Sequence, residues 1–179
     1  MKNVLINTAL TLLTVMSMSV AQAKDKKQRD FEMLQKQVEQ NLAKFDDLDF
    51  NVFSRQDWKG FEKTHSPNVK VHWPDGHVTE GLPKHIEDMK YMFTYAPDTR
   101  IEEHPIKVGQ GEWTAVYGIM LGTFTKPMQT PDGKTIQPTG KSFRVPMATM
   151  AHWTKEGTFD EEYLFWDNQT YMNQLGLGK

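Results

Sequence analysis

KSFRVPMATMAHWTKEGTFDEEYLFWDN, residues 141–168, reads as two strands joined by a turn. Lys141–Thr154 and Thr158–Asn168 follow the period of two that a pleated strand imposes, and Glu156-Gly157 supplies turn chemistry between them. Upstream lie two more strand candidates, Arg100–Val108 and Glu112–Lys126, with Gly109-Gln110-Gly111 and Pro131-Asp132-Gly133 as punctuation. Strands of this length suit a strongly curved sheet.

The first half of the chain has a different period. Phe31, Leu34, Val38, Leu42 and Phe45 recur every three or four residues, which is one face of a helix. A second helix is expected around Arg55–Thr64, with Trp58 and Phe61 on one side and Ser66-Pro67-Asn68 stopping it. Val69–Trp73 then alternates as a strand and ends at the turn Pro74-Asp75-Gly76. Gly81-Leu82-Pro83 opens a third helix whose inner face carries Ile86, Met89 and Met92 or Phe93, since Pro is tolerated in a first turn. Gln169–Leu175 forms a short closing helix. Helices first and an antiparallel run afterwards give an α+β fold, a curved antiparallel sheet covered on one face by about three helices.

The N-terminus predicts export. Lys2 is a positive n-region, Val4–Val20 is mostly apolar, and Ala21-Gln22-Ala23 is a small-residue cleavage site before Lys24. Asn7, Thr8, Thr11, Thr14 and Ser17 dilute the apolar stretch below what a retained span of about 20 apolar residues needs. Residues 1–23 are thus expected to be a cleaved signal peptide, 24–44 an N-terminal helical segment and 45–179 one domain, periplasmic or secreted. No later stretch could span a bilayer, so no membrane partner is expected after cleavage. With 21 basic against 23 acidic residues and no basic stripe, no nucleic-acid footprint is present. Cysteine is absent, which removes disulfides, thiolate catalysis and Cys-based zinc sites.

Thr154–Tyr163, then Trp166-Asp167, then Gln174-Leu175-Gly176 resemble the closing pattern of the SnoaL-like polyketide cyclases, ester cyclases within the nuclear transport factor two-like superfamily. Further matches are Val71-His72-Trp73-Pro74 with a Gly81 loop, Ala96-Pro97-Asp98, Glu112–Val116, Gly122-Thr123-Phe124 and Pro138–Lys141. The resemblance runs from about Phe45 to Leu177 and implies a cone-shaped, cystatin-like roll. It also implies an intramolecular aldol ring closure that needs no metal or cofactor. Family members often carry His where this chain has Phe124.

Asp167 resembles the family's acid/base aspartate by its place after Trp166 and before the last helix. An apolar pocket that raises a carboxyl pKa toward the working pH makes such a group effective, and Phe165 and Trp166 flank it; the competing role is a cap on the closing helix. His152 is the second catalytic candidate. A two-residue turn at Glu156-Gly157 puts it on the face of Asp167, whereas a type I turn with a Gly bulge separates them. His72 is the third, at the cavity mouth or facing solvent opposite Val69 and Val71. His104, before Pro105, is expected in solvent.

His72, Asp75 and His77 offer three ligand types within six residues, yet Pro74-Asp75-Gly76 is an ordinary turn, and no metal is assigned. Asn168-Gln169-Thr170 matches a glycosylation sequon but reads as a helix cap. The expected pocket lining is Trp73, Met89, Phe93, Met120, Phe124, Met150, Tyr163 and Phe165.

Three functions follow. The first is an exported acid/base enzyme of cyclase, isomerase or lyase type acting on a small apolar carbonyl compound. The second is a periplasmic small-ligand binder without chemistry. The third is an interaction module on the outer sheet face, which requires an apolar patch beyond a few hundred Å² there. Apolar residues on both faces of Lys141–Thr154 permit a homodimer.

Overall fold

Alternation along the last two long strands decides which side chains are inside. The computed structural model describes residues 2–178, with side chains from Gln22 onward. The signal-peptide reading of residues 1–23 falls on side chains outside the described ones, apart from Gln22 and Ala23. Among the described residues no helix is long and apolar enough to cross a membrane. The chain forms two units, residues 1–37 and 38–179. The first is helical throughout its described residues, as part of helix α1 (Lys2–Asp47).

Within the second unit the end of α1 buries Val38 and Phe45; Phe31 and Leu34, in the first unit, stand exposed, so only part of the expected stripe is a core face. A π-helical turn follows at Leu48–Phe53 and a single 3-10 turn at Gly60–Lys63. The α-helix expected at Arg55–Thr64 does not form. Gln56 takes a left-handed φ of 58° and Asp57 accepts from Gly60 N at 3.2 Å, which breaks the run into turns while Trp58 still stacks on Phe61.

The sheet is built from β1 (His65–His72), β2 (Val78–Glu80), β3 (Arg100–Ile101), β4 (Ile106–Gln110), β5 (Trp113–Thr123), β8 (Ser142–Trp153) and β9 (Phe159–Trp166). Its order is β2-β1-β9-β8-β5-β3, with β4 also on β5. The pairings are antiparallel except β1 with β9, which is parallel, so the sheet is mixed. The strand expected at Arg100–Val108 divides into β3 and β4 around His104-Pro105, because Pro has no N–H for the ladder. A separate hairpin, β6 (Met128–Gln129) with β7 (Thr135–Ile136), closes over the Pro131-Asp132-Gly133 turn. Helix α2 (Leu82–Tyr95) starts after Gly81, whose φ of 89° favours glycine, with Pro83 in its first turn. Helix α3 (Asn168–Gln174) closes the chain.

On β8 the residues Phe143, Val145, Met147, Thr149, Ala151 and Trp153 point inward. The turn to β9 pairs Thr154 with Thr158, with Gly157 at φ 77°, which taken alone would separate His152 from Asp167. One step later Trp153 pairs with Phe159 but His152 with Glu161, so Asp160 is a bulge that shifts the parity back. Beyond the bulge Glu162 and Leu164 are inside, while Tyr163 and Phe165 share the outer face with His152 and Met150.

Phe159 is the hub of the core. It stacks on Phe45 at 5.8 Å and meets Trp153 at 5.1 Å and His65 at 4.1 Å edge to face. The outer face instead exposes Ile106, Val108, Trp113, Met150 and Phe165. Phe159→Ala is expected to cost about 3–5 kcal/mol and Phe165→Ser less than about 0.5 kcal/mol, both read from urea unfolding midpoints.

Candidate active site

The inner faces of the sheet, α2 and the turn after α1 enclose one cavity of mixed chemistry. Its wall is largely apolar, from Leu48, Phe53, Phe61, Trp73, Met89, Met92, Ile101, Met120, Met147, Leu164 and Trp166. Five polar side chains interrupt it: Asp49, His65, His85, Thr149 and Glu162. Such a pattern, apolar walls with few convergent polar groups, is that of a small-molecule site.

Asp49 reaches the cavity from the π-helical turn. Its Oδ2 lies 2.8 Å from His104 Nε2, and His104 Nδ1 lies 2.8 Å from Asp46 Oδ1. Lys107 Nζ donates to the other oxygen of Asp46 at 2.5 Å. Burial drives the Asp49 carboxyl above the usual range, partly offset by His104. For His104, burial is outweighed by its two carboxylate hydrogen bonds, and its pKa rises. Asp46 stays low despite burial because Lys107 and His104 both donate to it. The imidazole therefore bridges two carboxyls, one in the cavity and one at the surface.

His104 was expected in solvent, yet its side chain is 1% exposed. The break before Pro105 turns it inward beside Phe50, whose ring lies 4.7 Å away. Gly118 makes room, since a Cβ there would sit 3.0 Å from His104 Cδ2.

The other three polar groups come from separate elements. His65 begins β1, His85 lies in the first turn of α2 and Glu162 points inward from β9. Glu162 Oε2 lies 3.9 Å from His65 Nε2 and 3.4 Å from His85 Nε2. Burial lowers His65 to about 3 and His85 to about 4, so both are neutral imidazoles, and it raises Glu162.

The residues expected at the site divide between the two sheet faces. Trp73, Met89 and Met120 line the cavity. Phe93 and Phe124 are core residues outside its lining, and Met150, Tyr163 and Phe165 lie on the outer face because strand alternation carries them there. Asp167 is exposed and caps α3, accepting from Thr170 N at 2.5 Å. His152 is also outside. It is bonded to Asp160 at 2.7 Å, a contact that raises its pKa, and to Glu112 at 3.5 Å.

His72 bonds Glu161 at 2.9 Å on the outer face and stacks on Tyr163 at 4.1 Å. Asp75 is occupied by the backbone and ring nitrogens of His77, as a turn Asp should be. Hence His72, Asp75 and His77 do not converge. Asp167 and His152 share a face by strand parity, but His152 pairs with Glu161 while Asp167 lies beyond Trp166, at the far end of β9.

Sequence reasoning missed Asp49, His65, His85 and Glu162. A signal existed for two of them. His85 precedes Met89 and Phe93 by four and eight residues, on one helix face, and Glu162 shares its strand face with Leu164.

The raised pKa of His104 links folding stability to pH. The stabilisation is complete below the unfolded value of 6.5 and is lost as pH rises through the folded value. His104→Gln is expected to cost roughly 2–3 kcal/mol below pH 6.5, a penalty that shrinks in thermal melts as pH rises above that value.

The family described as SnoaL-like polyketide cyclase matches residues 48–175. No protein of curated function matches the chain. Among solved structures, a protein described as a SnoaL-like polyketide cyclase from Jannaschia sp. CCS1 superposes with TM-score 0.66 at 18% identity, covering 80% of this chain and 94% of that one. IdmH of Streptomyces antibioticus, described as a polyketide cyclase, gives 0.62 at 20% identity over 78% and 98%. A protein with a ketosteroid isomerase-like fold from Catenulispora acidiphila, complexed with trimethylamine, gives 0.57 at 12% identity over 70% and 87%. At these identities the likeness concerns the fold alone.

Proposed function

Because the chain belongs to the SnoaL-like polyketide cyclase family, we propose that its cavity is the active site of an exported acid/base enzyme acting on a small apolar carbonyl compound. Asp49 takes and returns the proton. The observation that carries this reading is a buried carboxyl lining an apolar cavity, one of its oxygens held by His104, which is held in turn by Asp46.

A carboxyl in water is too weak a base to remove a proton beside a carbonyl. Burial shifts Asp49 toward neutrality, which brings its pKa nearer the operating pH and improves proton transfer. The His104 hydrogen bond fixes the carboxyl's rotamer and compensates the charge when the proton leaves. The apolar walls select a substrate with little polarity beyond its carbonyls. Asp167, exposed at the surface and accepting from Thr170 N–H as a helix cap, is not among the residues lining this cavity.

Proton transfer is testable without the natural substrate, by following deuterium uptake at the α-carbon of small ketones and β-keto esters in D₂O by NMR. Wild type should accelerate exchange, Asp49→Asn should slow it about 10²–10⁴-fold, and Asp167→Asn should leave it within a factor of about three. Full activity in Asp49→Asn together with loss in Asp167→Asn would reverse the assignment.

Export rests on Lys2, the apolar Val4–Val20 and Ala21-Gln22-Ala23. Intact mass of the protein recovered from the periplasm or medium should correspond to a chain beginning at Lys24; a chain still carrying residues 1–23 there would refute cleavage.

A further inference from the structure

Three polar side chains that meet in the cavity, His65, His85 and Glu162, take no part in the proton transfer assigned to Asp49. His65 Nε2, His85 Nδ1 and Glu162 Oε2 are buried without a hydrogen-bond partner. Each such group costs about 1–3 kcal/mol when left unsatisfied, and two of them, His65 Nε2 and Glu162 Oε2, face each other at 3.9 Å beside His85 Nε2, which calls for an occupant between them. One ligand atom from each residue lies within 4.8 Å of the others.

We propose that His65, His85 and Glu162 bind a divalent cation of the zinc type, with a remaining coordination position open to the cavity. This goes beyond the acid/base reading and stands without it, since Asp49 is not among the ligands.

The spacing fits. A zinc ion with ligands at roughly 2.0–2.2 Å in a tetrahedron separates neighbouring ligand atoms by roughly 3.3–3.6 Å. Glu162 Oε2 is 3.4 Å from His85 Nε2 and 3.9 Å from His65 Nε2, and all three ligand atoms lie within 4.8 Å of one another, so closing on the ion needs side-chain movement of up to about an ångström.

Orientation fits as well. His65 Nδ1 lies 2.9 Å from the Thr64 hydroxyl and 3.2 Å from the Phe61 carbonyl. The carbonyl can only accept, which places the proton on Nδ1 and leaves the Nε2 lone pair directed at Glu162. A metal-binding histidine is held this way, by a backbone carbonyl on its other nitrogen. The ligands come from β1, α2 and β9, and each side chain is almost wholly buried. Two imidazoles and one carboxylate, with no sulfur, suit zinc, cobalt(II) or iron(II) and not calcium or magnesium. Three protein ligands leave the fourth position to a water or a substrate oxygen, the pattern of catalytic and not structural sites.

The test uses the whole exported protein, stripped with a chelator and titrated with zinc chloride by calorimetry, with bound metal counted by mass spectrometry. About one zinc per chain is expected, with a rise in melting temperature that magnesium chloride does not produce. Glu162→Gln and His85→Asn should weaken binding at least about 100-fold, more than loss of an outer partner does, while Asp49→Asn and His77→Ala bind zinc as wild type. Cobalt(II) on the wild-type protein provides a reading independent of any variant: visible d–d bands and a paramagnetically shifted, exchange-protected N–H signal from His65.

Less than about one tenth of an equivalent bound at millimolar zinc would overturn the proposal, and so would unchanged affinity in both ligand variants. Because Asp49→Asn retains the ion while losing proton exchange, failure of the metal site and failure of the acid/base assignment give different results.

Discussion

Asp160 has no partner in the β8–β9 ladder, and that single extra residue sets inside and outside for everything that follows it. Before it, Phe159 fills the centre of the core; after it, Glu162 takes an inner position that the turn geometry alone would have given to Glu161. A carboxyl facing the cavity, opposite Ala151 and beside Leu164, is thus a consequence of pleat parity. The same bulge puts Tyr163 and Phe165 on the outer face, where alternation along β8 already places His152. Without it, the other row of β9 would line the cavity and the Glu162 carboxyl would face outward.

The price of this arrangement is concentrated in one place. Asp49, His65, His85 and Glu162 all sit where the surrounding packing favours hydrocarbon, and burial shifts each of their proton affinities toward the neutral form. The aromatic cluster of Phe45, Trp153 and Phe159 stands next to them and holds β1, β8 and β9 against α1. Stability supplied by those rings lets the neighbouring groups remain poorly satisfied. The polar groups also differ in kind: Asp49 is linked to the surface through His104 and Asp46, whereas His65, His85 and Glu162 are closed off from it.

The α+β class, the long strands and the closing helix were legible because period and turn chemistry are local properties. Lys141–Thr154 alternates over its whole length, and Gly81-Leu82-Pro83 announces α2 as plainly as a sequence can. The site was less legible for two physical reasons. The run Asp160-Glu161-Glu162 reads as a solvated acidic stretch, and only the bulge, a tertiary event, turns its last member inward. His65 stands beside a turn with no repeating pattern around it, so nothing local marks it as buried. Asp167 carries two readings: resemblance points to chemistry, while the hydrogen bond it accepts from Thr170 N–H matches the capping role that its position before a helix also allows. His104 was misplaced because a break at Pro105 looks like an exposed edge until the chain beneath it, at Gly118, is seen to leave room for the ring.

The parallel pairing of β1 with β9 has a consequence for the order of assembly. Residue 65 meets residue 159, so β1 acquires its main neighbour only after most of the sequence between them has been laid down. Closing so long a loop is entropically expensive and slow compared with forming the β8–β9 hairpin. The final strand therefore acts as a latch: a chain that ends before residue 159 has neither the ring that centres the core nor the carboxyl that faces His65 and His85. The cavity is complete only when β9 is in place, since Glu162, Leu164 and Trp166 line it.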